Sequence, residues 1–146
     1  MKRISILLFS FLTLTGVSAC KKPQFYLEGS WFFKEVKERT STFSRTDITS
    51  SHRNYELQFY PGGVLVQRDL SNSDSLLGNW QLNKTTVSTG EGSATVQQLI
   101  LSFPSATNIF EQITVLNNVS VNKTYLRGST NDHRGNQYRE YVLQRR

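Results

Sequence analysis

Residues 54–66, with the sequence NYELQFYPGGVLV, decide the fold of this chain. Tyr55, Leu57 and Phe59 alternate with polar residues, so their apolar side chains fall on one face of an extended strand. The Pro-Gly-Gly sequence at 61–63 favours a tight turn, because its glycines tolerate positive φ, and a second apolar run follows it at once. The stretch predicts an antiparallel hairpin with one buried face and one wet face.

The same pattern continues along the chain. Segments rich in Val, Ile, Tyr, Phe, Thr and Leu are separated by turn residues, which predicts strands and no helix after Gly29. The eight predicted strands are 30–39, 53–60, 63–70, 76–83, 95–103, 108–116, 119–127 and 136–144. Strands at roughly 8–12 residue spacing indicate a sandwich or a barrel.

The connections between these strands predict a cup. In an up-and-down meander they alternate between two ends, so the longer ones at 40–52, 71–75, 104–107 and 128–135 share one rim, while the tight turns at 61–63 and 117–118 share the other. This count places Trp80 towards the open rim, with His52 and His133 in solvated loops there. The long polar segment 84–94 falls at the closed end as a loop that the pattern does not explain.

The N-terminus predicts export. Lys2 and Arg3 precede an apolar stretch over 4–14, which is too short to span a bilayer, and a cleavage site of small residues follows at 17–19. These features predict a signal peptide over 1–19. Val17-Ser18-Ala19-Cys20 resembles the lipobox of bacterial lipoproteins, which implies acyl chains such as palmitate on Cys20. The alternative is plain secretion. Cys20 is the only cysteine and so cannot form an internal disulfide, which favours lipidation.

Cleavage before Cys20 leaves 127 residues, and the formal charge falls from +6 to +4 because Lys2 and Arg3 are lost. Residues 20–28 form a short tether that reaches about 30 Å at most, and 29–146 form one domain. Export argues against nucleic acid as a partner of this basic chain, whereas anionic headgroups lie beside Lys21 and Lys22. By analogy with lipoprotein sorting, we expect the periplasmic face of the outer membrane.

Gly29-Ser30-Trp31 opens the first predicted strand. A Gly-x-Trp at this position, followed by an eight-stranded meander, resembles the lipocalins and especially the bacterial lipocalin-like lipoproteins. The resemblance implies an all-β, eight-stranded antiparallel up-and-down barrel whose closed end holds Trp31 under a basic residue that follows the last strand, here Arg145 or Arg146. The chain departs from many lipocalins because it has no disulfide and no room for a helix after the seventh strand. Gly78-Asn79-Trp80 also repeats the motif.

Chemical motifs are sparse. The chain has no Gly-rich phosphate loop, paired-carboxylate motif or metal-ligand spacing. A site built on His52 and His133 would want a third ligand, and no cysteine is available in the mature domain for it. We expect no enzymatic activity, no metal and no cofactor.

A binding cavity is the stronger hypothesis, since eight-stranded barrels are either filled by side chains or hold one small ligand. The residues predicted to face inwards are Tyr55, Leu57, Phe59, Trp80, Leu99, Leu101 and Tyr141. Arg68, if it shares the face of Val64 and Val66, or Arg139, on the face of Tyr141, would meet a ligand's acid group. Two functions stay open: a membrane-anchored protein that binds a small apolar ligand in its barrel, and an interaction module or inhibitor of the cell envelope that acts through its rim loops.

Overall fold

The computed structural model describes residues 26–41, 43–89, 92–132 and 137–146. Within them lie nine strands: β1 Gly29–Arg39, β2 Arg45–Asp47, β3 Tyr55–Phe59, β4 Val64–Asp69, β5 Ser75–Thr89, β6 Gly92–Ser102, β7 Ile113–Val121, β8 Tyr125–Asp132 and β9 Gln137–Arg145. Two short 3-10 turns, Thr49–Ser51 and Pro61–Gly63, precede β3 and β4. No helix in this part of the chain is long and apolar enough to cross a membrane.

Eight of the strands close into an antiparallel barrel in sequence order. Each strand from β3 to β9 pairs with its neighbour in the chain, and β1 pairs with both β3 and β9. The predicted eight-stranded up-and-down, lipocalin-like barrel is confirmed. The ninth strand, β2, pairs with Lys37–Arg39 at the end of β1, inside a segment that the sequence predicted as a loop.

The predicted hairpin has the predicted turn. Gly62 and Gly63 adopt φ of 80° and 84°, which residues with a side chain rarely adopt. Tyr55, Leu57 and Phe59 all point into the barrel and are buried.

The prediction of a loop at 84–94 was wrong. β5 and β6 pair without interruption from Asn79 opposite Ser102 to Thr89 opposite Gly92. Only Ser75–Asn79 of β5 also pairs with β4, and only Leu99–Ser102 of β6 also pairs with β7. The remainder is a two-stranded arm, which we call the β5–β6 arm, and it extends past the closed end of the barrel.

The turn predicted at 117–118 was also wrong. These two asparagines lie inside β7, at a bulge where the register to β8 shifts between Asn117 and Ser120. Asn118 does adopt a positive φ of 52°. The chain reverses at 122–124 instead, where the Asn122 side-chain oxygen accepts hydrogen bonds from the backbone N–H groups of Thr124 and Tyr125 at 2.9 and 2.7 Å.

The closed end holds the predicted tryptophan. Trp31 is fully buried, and its indole Nε1 donates a hydrogen bond to the carbonyl oxygen of Leu27 at 2.6 Å. Leu27, itself fully buried, caps the barrel just before β1 begins. Because β1 begins and β9 ends here, the N-terminal segment leaves the domain from the closed end, on the side opposite the open mouth.

Candidate functional site

Most of the barrel interior is a packed core. Of the residues predicted to line a ligand cavity, Leu57, Phe59, Leu99, Leu101 and Tyr141 are at most 2 % exposed, and Tyr55 is 9 % exposed. They pack with Phe33, Leu65, Leu116, Leu126 and Leu143 in one cluster. Side chains therefore fill most of the barrel interior. A filled interior is one of the two arrangements expected for eight strands, the other being a cavity for one small ligand.

The open end is partly closed by the connection between β6 and β7. Ile109 and Phe110 in this connection are buried, and Phe110 lies against the rings of Tyr141 and Phe103 with centroids 5.7 and 6.4 Å apart. Thr107 holds the connection in place, since its Oγ1 accepts from the Phe110 N–H at 2.8 Å. Residues 108–112 were predicted as strand, so this plug was missed; the adjacent apolar pair Ile109-Phe110 was its only signal.

A pocket of about 240 Å³ opens beside the plug, in the barrel wall between β7 and β8. At this end β7 pairs with β6 through Ile113–Leu116, whereas its pairing with β8 begins only at Asn117. The bulge at 117–118 thus leaves a slot between the two strands. The pocket's lining includes Phe110, Thr114, Thr130, Arg139 and Tyr141. We call it the slot pocket.

Arg139 and Glu111 are the charged groups in the lining of the slot pocket, and the Arg139 guanidinium is already paired. Its Nε donates to Glu38 Oε2 at 2.7 Å and its Nη2 to Gln137 Oε1 at 3.1 Å. Burial is the largest influence on Arg139 and opposes its charge, but the hydrogen bond and charge of Glu38 together with the interactions with Tyr141 outweigh burial and raise the pKa of the guanidinium. Arg139 is therefore a fixed, neutralised hydrogen-bonding group and not a free anion receptor.

A second buried titratable group lies close by. His52 is 4 % exposed, and its ring packs against Phe33 and Tyr141 with centroids 5.3 and 6.0 Å apart. The prediction that His52 is a solvated loop histidine was wrong, because residues 48–52 fold over the barrel mouth. We call them the cap segment.

Hydrogen bonds to β1 hold the cap segment down. The Val36 N–H donates to Thr49 Oγ1 at 2.8 Å, and the Ile48 N–H donates to the Val36 carbonyl oxygen at 2.9 Å. His52 Nδ1 lies 2.9 Å from Ser51 Oγ and 3.2 Å from the Ile48 carbonyl oxygen, and a hydrogen bond to that carbonyl requires the ring proton on Nδ1. Nε2 is then buried without a partner among the described residues. Burial lowers the pKa of His52 below its ordinary value of 6.5.

Arg68 lies outside the barrel, contrary to the prediction. In the β3–β4 register Leu57 is opposite Gln67 and Phe59 is opposite Leu65. Leu65 and Gln67 therefore face inwards, and Val64, Val66 and Arg68 face outwards. Arg68 lies 3.9 Å from Glu56 on that outer surface.

Trp80 lies at the closed end, also contrary to the prediction. Its Nε1 donates to the Tyr60 carbonyl oxygen at 3.0 Å, and its ring packs edge-on to Phe59 at 5.9 Å. Counting strand ends failed here because only Ser75–Asn79 of β5 pairs with β4, so the barrel part of β5 ends just before Trp80, whereas the predicted strand continued to Asn83.

Trp31 and Arg145 meet at the closed end. The Arg145 guanidinium carbon lies 4.8 Å from the centroid of the Trp31 ring, and the same group donates hydrogen bonds to the carbonyl oxygens of Tyr26 and Glu28. Gly29 lies beside this contact and adopts φ 118°, which residues with a side chain rarely adopt; a Cβ there would meet the guanidinium carbon only at an ordinary contact distance of 3.7 Å. Arg146 instead covers Phe32 on the outer surface, 4.4 Å from its centroid.

The predicted signal peptide at 1–19, Cys20, most of the tether at 20–28, and His133 lie outside the described residues. Among the described residues, no group of three or more His, Cys, Asp or Glu side chains is placed to hold a metal ion. Fold and pocket define an all-β closed barrel that could bind a ligand. Comparisons with protein families, with curated proteins and with solved structures find no match to this chain.

Proposed function

We propose that this protein is a lipid-anchored, lipocalin-like barrel that binds one small, mostly apolar ligand in the slot pocket. The observation that carries the proposal is the 240 Å³ pocket between β7 and β8, where the buried rings of Phe110 and Tyr141 meet the fixed polar groups of Arg139 and Thr130. Ligand sites typically combine apolar walls with a few polar groups in this way.

The pocket limits the ligand in size and in charge. Its volume lies below the roughly 300–1,000 Å³ of sites for drug-sized molecules, so a large lipid does not fit inside it. Because Glu38 already neutralises Arg139, an additional full negative charge would gain little. The ligand that fits best has a short apolar body and one neutral hydrogen-bonding end, such as an alcohol, an amide or a protonated acid.

The anchor on Cys20 is part of the same proposal. The described chain begins at the closed end, so an anchored barrel does not present its open mouth to the membrane and takes its ligand from the aqueous side. An outer-membrane, periplasmic position agrees with this arrangement. Mass analysis of the chain from its own host tests the anchor, because acylation adds the mass of the lipid and a Cys20→Ala variant lacks it.

Native mass spectrometry of the chain without residues 1–20, purified gently from its host, tests the ligand. The barrel and the core described above lie within residues 26–146. We expect an added mass that is lost on denaturation. Thr130→Trp fills the slot pocket and should abolish the added mass, whereas Ser120→Trp, on the exposed face of β7, should retain it. Bare protein from every preparation, or equal retention in both variants, would refute the proposal.

A non-catalytic interaction module is the second candidate, and the β5–β6 arm favours it. The arm's outer backbone groups have no strand partner among the described residues beyond Asn79 of β5 and before Leu99 of β6. Unpaired strand edges are templates for strand addition by another chain. Site-specific photo-crosslinking in the native envelope from Thr86 on the arm, with Ser71 in the β4–β5 turn as the control position, tests this candidate.

A further inference from the structure

The outer surface of the three neighbouring strands β8, β9 and β1 differs from the rest of the barrel. Side chains that alternate with the buried residues of these strands point outwards in aligned rows. In one row Tyr125 is opposite Gln144, which is opposite Phe32. In another, at the far end, Asn131 is opposite Tyr138, which is opposite Arg39. We call this surface the β8–β9–β1 face.

Four cations on this face lie against aromatic rings. Lys34 Nζ is 4.6 Å and the Arg127 guanidinium carbon 5.8 Å from the Tyr125 ring centroid; Arg39 is 5.5 Å from Tyr138, and Arg146 is 4.4 Å from Phe32. No carboxylate of the described chain lies within ion-pairing distance of any of the four. Within the described residues, rings orient these four positive charges and no ion pair compensates them.

The two carboxylates of the face cluster around a fifth cation. Glu35 Oε1 is 2.5 Å from Lys37 Nζ, and Glu140 is opposite Lys37 in the β1–β9 register. Five cations against two carboxylates leave the face with a net charge of +3. A groove of about 530 Å³ runs between Tyr125 and Tyr138, with Ser129 and Val142 along it.

We propose that the β8–β9–β1 face docks on the headgroups of an anionic phospholipid bilayer. Cations seated on tyrosine and phenylalanine rings suit this partner, because tyrosine is enriched where one side of a surface is apolar and the other is wet, and because basic side chains are attracted to anionic headgroups. The phosphates meet the exposed N–H groups of Lys34 and Arg127, which line the groove together with Glu35 and Glu140.

The tether favours a bilayer over other polyanions. The row that contains Tyr125 and Phe32 lies at the closed end, close to Gly29, where the tether leaves the barrel. Nine residue steps separate Gly29 from Cys20, which is about 30 Å when fully extended. This step rests on the proposed anchor. If Cys20 is acylated, the face is never far from headgroups, and docking fixes how the barrel lies on the membrane.

The test uses the chain without residues 1–20, which carries no lipid and so separates the face from the anchor. Its binding to vesicles of phosphatidylglycerol and phosphatidylcholine is measured by co-sedimentation over a range of salt concentrations. We expect binding that weakens steeply with salt and is absent with pure phosphatidylcholine. The double variant Lys34→Gln/Arg127→Gln should bind about 25-fold more weakly, from about fivefold for each cation removed.

The matched control is Arg68→Gln/Lys84→Gln, which makes the same change in net charge at two exposed positions on β4 and on the β5–β6 arm, outside the three strands of the face. We expect it to bind like the unmodified chain. Equal losses in the two double variants, no binding at low salt, or binding to a soluble polyphosphate as tight as to vesicles would each overturn the proposal. Finding no acyl chain on Cys20, or no ligand in the slot pocket, would not overturn this proposal, because the vesicle assay uses a chain without Cys20 and does not measure ligand binding.

Discussion

Arg145→Gln tests whether the closed end is held as described. The substitution removes a charge that lies 4.8 Å from the Trp31 ring and that donates to two main-chain carbonyl oxygens. A partly desolvated cation–π contact contributes about 1 kcal/mol. Glutamine can replace one of the two hydrogen bonds, and losing the other, which has a charged donor, costs about 2 kcal/mol. We therefore expect the free energy of unfolding to fall by about 3 kcal/mol.

The assay is urea unfolding of the chain without residues 1–20, followed by tryptophan fluorescence. With a urea m value of about 1.5 kcal/mol per molar, a loss of 3 kcal/mol lowers the midpoint by about 2 M. Trp31 is fully buried beneath the guanidinium, so its emission should also shift when Tyr26 and Leu27 detach from the closed end.

Arg146→Gln is the matched control, since it removes the same charge from the neighbouring residue. Arg146 is exposed and contacts Phe32 on the outer surface, and surface substitutions usually change stability by about 0.5 kcal/mol or less. If the two variants unfold at the same urea concentration, Arg145 does not hold the closed end, and its position over Trp31 carries no measurable energy.

Two further predictions concern buried positions. Gly78→Ala should destabilise the barrel by about 2–3 kcal/mol, because a Cβ there would lie 2.5 Å from the Ser102 carbonyl oxygen and 2.7 Å from the Phe103 ring. The control is Gly62→Ala, which has open space at its Cβ and should cost only about 1 kcal/mol for its positive φ. The urea midpoints of the two variants test this difference. Burial lowers the pKa of His52, so the unfolded chain binds more protons near pH 6.5, and stability should fall as the pH drops below that value. His52→Gln should flatten this slope; an unchanged slope would show that another group causes it.

The alternation of Tyr55, Leu57 and Phe59 was sufficient to predict an inward face, because polar residues separate them and a glycine turn follows. The neighbouring run Val64-Leu65-Val66 has no such separation, so both of its faces look equally apolar. Its face is set by the register that the turn imposes, which places Leu65 opposite Phe59. A shift of one residue moves a whole strand's side chains to the other face, and this is why Arg68 was assigned to the interior.

The β5–β6 arm could not be identified from alternation for a different reason. Its two strands pair only with each other beyond the barrel, so neither face has to be apolar. The cross-strand ladder alone defines the arm, and the Thr- and Ser-rich sequence that the ladder joins is also typical of loops. Because residues 84–94 were predicted as a loop, the closed end of the barrel was placed at the end of the predicted strand, at Asn83. The barrel part of β5 ends at Asn79, so Trp80 was assigned to the wrong end.

The slot pocket has its origin in residues that were noticed and misinterpreted. Asn117-Asn118 predicted a turn because asparagine tolerates positive φ, and Asn118 does adopt one. A positive φ is found in bulges as well as in turns. Whether the segment forms one or the other depends on which strand pairs with it. Here β7 exchanges β6 for β8 as its partner at Asn117, so the chain continues straight and the wall opens. A short stretch of sequence around Asn117 cannot show this change of partner, because the partner residues Ser102 and Ser129 lie on two other strands. The candidate site therefore exists only in the closed barrel. Its lining is complete only when β9, which carries Arg139 and Tyr141, pairs with β1.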